Sequence, residues 1–519
     1  MSNESNLPRE SPTSSTNNAA YSTLHFQSQM SHSAAVMTPE LEMLPGEVRP
    51  VEEIDLKKAG ADLDHGRLDS INKFSAMRKN CILAIVAFAG ILGPLTSTVF
   101  LPALRDIQRD LHTTLTIINL CISLFVLFMC TSPFVWAPLS EMIGRKPIFL
   151  VSTALFTGAS AGCAMSRSAG LLVPMRVLQA IGSASGQVVG AGVIADIFEA
   201  RERGTRMGIF FMGPLLGPVL GPFVGGFITQ NLGWRWVFWV PCIIGGGVLL
   251  AILLLLPETL PSPKPLGPFN PLTPLKFFRD PNVSLMVIYP GVTYGLMYFL
   301  LTNYSPTISR TYNWNTSETG ISFLSGGIGN IFGTFVGGWL ADWGRARALR
   351  KFKGDATPEM RLTAFWVGSL LMPIGFIIFG WTLQARTHFA APLIGYFIEG
   401  FGQLMGFSIT NTYFVDAYAT KAASVIGSAT FVRGIMGMIT PLFAVQMQGA
   451  LGIGWTYTVL AIISLLCAIP VFIVKRWGVV WRQRREMRGQ DIMNDAPSPS
   501  KAASAQRGTS REREGEEGS

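Results

Sequence analysis

Three ionisable residues stand where such residues are expensive. Arg176, Glu399 and Arg433 each lie inside a long apolar stretch of the 519-residue chain. A charge held in hydrocarbon costs at least about 2.5–3.5 kcal/mol, so it normally faces a cavity or a partner. Glu399 is the only carboxylate near the middle of such a stretch, and Gln403 follows one helical turn later on the same face. Glu399 and Arg433 fall near the centres of consecutive stretches, which makes them candidate partners; a purely structural ion pair is the bland form of that reading. A carboxylate that takes a proton on an acidic side and releases it on the other can couple proton flow to movement of a second solute. Asp196 and Asp416 stand at the ends of the stretches that carry Arg176 and Glu399, where they either join this relay or anchor loops through Arg and Lys. The loops offer no nucleophile–base or metal-ligand spacing, and no phosphate-binding glycine loop for ATP. An enzyme is therefore not expected, nor a cofactor; a proton gradient is the expected energy source.

The elements that carry these residues must cross a membrane. The chain is 49% hydrophobic and 14% charged, with mean hydropathy +0.37, whereas soluble domains carry about 25% charged residues. Apolar blocks fall near 80–102, 116–138, 147–166, 170–195, 207–230, 235–256, 283–305, 318–341, 361–382, 389–413, 422–446 and 452–474. Each has roughly the 20 residues that span a hydrocarbon core. The expectation is an all-α polytopic membrane protein with twelve spans. Net charge +9 does not imply nucleic acid, because the basic residues lie in loops between apolar blocks. The six cysteines are scattered singly and read as small buried hydrophobes.

An even number of spans puts both tails on one side. Loops on that side carry fifteen Lys and Arg, against six on the other, which places the tails in the cytosol. Residues 1–79 are polar, carry 11 acids against 8 bases, and have no apolar core for a signal peptide. Residues 475–519 form a second polar tail. The stretch 257–282 holds Pro257, Pro261, Pro263, Pro265, Pro268, Pro271 and Pro274 and reads as a linker. It separates six-helix halves at 80–256 and 283–474, and an internal repeat supports the division. After the second span stand Leu139, Glu141, Gly144, Arg145 and Lys146; after the eighth stand Asp342, Gly344 and Arg345. Each copy is an acid, a glycine and a basic cluster, able to lock the cytosolic mouth through ion pairs.

The fifth span repeats small residues every four positions: Gly213-Pro214, Gly217-Pro218, Gly221-Pro222 and Gly225-Gly226. Four residues approximate one turn, so the glycines form a stripe that lets another helix approach closely. In the seventh span Tyr294 and Tyr298 are one turn apart and, with Gln403, are candidates to line a substrate cavity. Aromatic walls suit varied amphipathic solutes.

Leu139 to Lys146 resembles the loop signature of the major facilitator superfamily. Gly217 to Gly226 is similar to the antiporter signature of its drug:proton exporters, and Arg176-Val-Leu-Gln179-Ala-Ile-Gly182 to its fourth-helix signature. The run Asn411 to Tyr418, with Ala422-Ala423-Ser424 and Arg433, resembles the fungal twelve-spanner exporters. Ala137, Met142 and Ala180 depart from these patterns. The resemblance implies the major facilitator fold and a role for Arg176 in proton movement. It implies proton-coupled efflux of small organic compounds by alternating access. A proton-coupled importer is the rival in the same fold, and a non-transporting sensor or scaffold the rival in another class. The expected setting is the plasma membrane, or else the vacuolar membrane. The expected partners are a small-molecule substrate, protons and lipid, with the chain working as a monomer.

Overall fold

The computed structural model describes residues 74–260, 273–352, 357–418 and 422–487. Most of the expected tails, part of the linker, and Lys264, Lys353 and Lys421 lie outside these residues. Among these residues twelve long helices follow one another. They are α1 Ala76–Thr98, α2 Leu115–Thr131 continued as Pro133–Met142, α3 Arg145–Ala164, α4 Ala169–Ile197, α5 Ala200–Leu232 and α6 Trp236–Leu255. Then come α7 Ile288–Tyr312, α8 Thr316–Phe352, α9 Phe365–Gln384, α10 Ala390–Ala417, α11 Ala422–Leu451 and α12 Ile453–Leu466 continued as Ile469–Met487. There is no strand among the described residues.

Helices are what a bilayer demands. An unpaired backbone group in hydrocarbon costs several kcal/mol, and a helix closes its own bonds. Side chains of Ser75 and Thr114 cap the starts of α1 and α2. Eleven of the helices are apolar and long enough to cross a membrane. The remaining one, α10, has 28 residues, but Glu399, Gln403, Thr410, Asn411 and Thr412 interrupt its apolar run. Large apolar side chains face outward along the helices, among them Leu254, Phe332, Phe335, Trp339 and Trp366. Such a surface fits lipid, not water. The chain is a multi-pass, all-α membrane protein.

Several boundaries differ from the sequence expectation, α5 starting at Ala200 and α8 running to Phe352 among them. The first helix starts at Ala76, ahead of residue 80, and the last runs on to Met487, past residue 474. Adding residues to an existing helix carries no nucleation cost, and Lys and Arg favour a helix C-terminus. Apolar content alone therefore underestimates helix length.

Packing repeats with an offset of six helices. The neighbours α1 and α5, α3 and α4, α2 and α4, and α3 and α6 correspond to α7 and α11, α9 and α10, α8 and α10, and α9 and α12. The first six helices meet the last six mainly through α2 with α11 and α5 with α8, pairs that the same offset exchanges. The α5 stripe lies mostly against α1. A Cβ on Gly217 would stand 2.7 Å from Pro94 Cβ, and one on Gly221 or Gly225 would collide with Thr98 or the Val99 carbonyl. Gly226 faces the other half, where its added Cβ would meet the Gly320 Cα of α8 at 2.9 Å.

Six hydrogen bonds join the halves toward one face of the molecule. Arg105 donates to the Pro306 carbonyl, Asn119 to the Pro441 carbonyl and Tyr298 to Ser97. Ser317 donates twice, to Gln230 and to the Gly226 carbonyl, and Gln446 donates to Thr116. These partners sit in the half of the molecule away from the face where α1 begins, here called the outer face.

Candidate functional site

At the face opposite the outer one, the first loop motif is built around Arg145. Gly144 has φ +119°, a left-handed geometry that a side chain resists, and it turns the chain into α3. The buried Arg145 side chain then reaches two helices. Its Nε donates to Asp196 of α4 at 3.1 Å and its Nη1 to Ser140 of α2 at 2.7 Å. Glu258, just beyond α6, accepts from the backbone N–H of Arg145 at 2.9 Å and of Lys146 at 3.1 Å. A carboxylate at a helix N-terminus meets both free donors and the positive end of the dipole. Lys146 Nζ in turn holds the Leu253 carbonyl at the end of α6. Leu139 is half-buried against the first-half core, and Glu141 lies in the last turn of α2.

The second copy departs from the expected pattern. α8 does not end at Gly344 but runs on through Arg345 to Phe352. Arg345 is half-exposed and comes no closer than 3.8 Å to Asp416. The residue that does the work of Arg145 is Arg361, in the 3-10 segment Pro358–Ala364 ahead of α9. Its buried guanidinium donates to Asp416 of α10 and, at 2.6 Å, to Asp342 of α8. Arg145 opens the third helix of its half, Arg361 stands just ahead of the third helix of the other, and both bind the acid ending the fourth. The two copies match when aligned on the following helix, whereas counting from the preceding one selects Arg345.

In the interior, the expected pairing of Glu399 with Arg433 is not found. Among the described residues Glu399 has no ion pair; it is 1% exposed, and its Oε1 has no hydrogen-bond partner. It is pressed against the backbone of α9 at Gly375, within electrostatic reach of Tyr289, Tyr396 and Tyr457. Gln403, one turn on, donates to the Thr293 carbonyl of α7 at 2.8 Å. Arg433 lies apart, its guanidinium carbon 4.3 Å from the centre of the Tyr294 ring and 4.8 Å from that of Phe407. Two residues on neighbouring helices can be central in sequence yet point to different sides, and spacing on one helix does not reveal that angle.

Arg176 is fully buried. Its Nη1 donates to the Thr96 carbonyl at 3.2 Å and to Gln179 Oε1 at 2.8 Å. Phe100 and Phe125 enclose it, with ring centres 4.3 and 4.1 Å away. Tyr294 and Tyr298 are neighbours with ring centres 5.1 Å apart. Sequence reasoning missed Glu258, Arg361 and the phenylalanine cage. Glu258 was signalled by its place directly after the apolar block and Pro257, and nothing signalled the cage.

A twelve-helix fold with matched halves and charged loop locks defines a membrane transporter and not an enzyme. Residues 86–441 match the Major Facilitator Superfamily, and the chain belongs to that family. It is 32% identical over 448 residues to the MFS-type transporter tndD of Aspergillus flavipes, covering 79% of this chain and 82% of that protein. It is likewise 32% identical over 421 residues to the efflux pump radE of Floropilus chiversii, covering 75% and 78%. Among solved structures, a bacterial homologue of the human lysosomal transporter Spinster, inward-facing and unoccupied, superposes with TM-score 0.61. It is 17% identical and covers 79% of this chain and 98% of that one, which bears on the fold alone.

Proposed function

We propose that this transporter exports small organic compounds in exchange for protons, with Glu399 as the proton-carrying group. The observation that supports it is the isolation of that carboxylate: buried in α10, without an ion pair, and with one oxygen unanswered. A charge is costly to desolvate there, so a proton and a substrate can compete for one conformation of the carrier. Gln403 lies one turn along the same helix, and Tyr289, Tyr396 and Tyr457 are within electrostatic reach. Arg176, Arg433, Asp196 and Asp416 are the other coupling candidates, the two aspartates being tied at the loop locks. The name efflux pump carried by radE and by MFS2 of Trichophyton rubrum agrees with export. The proposed setting is the plasma membrane, with both tails cytosolic and the loop locks at the cytosolic mouth.

Deletion in the source organism, with profiling of cells and medium, tests the carrier reading: at least one small compound should accumulate inside and vanish from the medium. Coupling is tested in inside-out vesicles with and without an imposed pH gradient. Glu399→Gln keeps the shape of the side chain while fixing it neutral. It should abolish gradient-driven accumulation, at least ten-fold, yet preserve substrate binding or passive exchange. Full pH-driven accumulation by this variant would move the proton site elsewhere.

A further inference from the structure

Two arginines inside the bundle, the fully buried Arg176 and the half-buried Arg433, have no acid paired with them among the described residues. Among those residues Arg176 forms no ion pair, and its Nε and Nη2 are buried without a partner; Arg433 forms none there either, and its Nε is equally unanswered. They stand on opposite halves but are joined by a short aromatic path. Arg433 lies over Tyr294, whose ring neighbours that of Tyr298. Tyr298 reaches Ser97 at 3.5 Å, and the adjacent Thr96 carbonyl is the one Arg176 holds. Arg433, Tyr294 and Phe407 keep partly exposed surfaces, while Tyr298 and Arg176 are closed off behind them. Thr96 Oγ1, on this path, is also buried without a partner.

Proteins that bury a cation for structural reasons pair it with a carboxylate, since an unpaired charge in a low dielectric is strongly unfavourable. Aromatic faces recover only part of that loss. Two uncompensated guanidinium groups across one interface leave a positive field in a region lined by rings. A cationic solute would be repelled there, and a neutral one would leave the field unused.

We propose that the transported compound is an organic anion with a flat, conjugated body. Its acid group meets the Arg433 guanidinium, its rings lie beside Tyr294 and Phe407, and Arg176 supplies a second positive pole deeper in. A guanidinium can receive a carboxylate through two parallel N–H donors. This rests on the carrier reading and names the chemistry of its cargo.

The test uses purified full-length protein and three probes with one ring system: 1-naphthoate, 1-naphthamide and 1-naphthylmethylamine, which are anionic, neutral and cationic at pH 7. Binding is read by quenching of tryptophan fluorescence, and folding by thermal unfolding. Naphthoate should bind at least ten-fold more tightly than the amide, and the amine most weakly. Folded Arg433→Gln should lose that preference at least ten-fold, and Arg433→Lys should keep most of it. A flat or reversed order in the wild-type protein, including no binding by any probe, overturns the proposal. So does a preference that survives Arg433→Gln. The carrier reading fails separately, if deletion leaves the profile of cells and medium unchanged.

Discussion

Arg361 shows what a single residue does at the loop locks. Held by Asp342 and Asp416, it ties α8 and α10 to the start of α9, as Arg145 ties α2 and α4 to the start of α3. Arg361 is buried while Asp416 is partly and Asp342 mostly exposed, so breaking these pairs costs less than the about 3–5 kcal/mol of a fully buried pair. An exposed pair such as that of Arg345 is worth about 1 kcal/mol or less. Arg361→Gln should therefore lower transport at least ten-fold, with Arg345→Gln staying within two-fold; uptake assays on equally expressed variants check this. A sequence reader sees the acid–glycine–basic pattern and takes Arg345, because proximity along the chain stands in for proximity in space. Glu399 and Arg433 carry the same lesson. Their depth follows from the apolar run around them, but their direction depends on helix rotation, which distant packing decides.

At the scale of an element, α5 is almost fully legible. A glycine every fourth residue predicts a smooth stripe, and the structure lays that stripe along α1 from Ala87 to Val99. What the repeat cannot tell is which helix fills it, or that Gly226 turns instead to Gly320 of the opposite half. A side chain at Gly221 has nowhere to go, since Thr98, the Leu95 carbonyl and the Val99 N–H occupy its place. Overpacking of a close-packed interior typically costs about 1–3 kcal/mol. Gly221→Leu should reach the membrane yet lose at least ten-fold in transport, and Gly221→Ala should lose less; surface expression and transport measured together separate the two effects. Helix ends were less legible, because α12 continues into a basic stretch that hydropathy treats as tail.

For the whole molecule, the repeat offset of six helices and the excess of Lys and Arg on one side argue for tails that share a compartment. In a background with the exposed Cys81 replaced by Ser, Ala20→Cys and Ala505→Cys should each react with an impermeant maleimide only after the cell is permeabilised. Labelling of either in intact cells would reverse the topology. The six inter-half hydrogen bonds near the outer face bear on a different matter. Each contributes about 0.5–1.5 kcal/mol net, and all must break for the outer face to open. A carrier fastened there rests with that door shut, so a solute on the outer side finds no way in until the whole row of fastenings has let go.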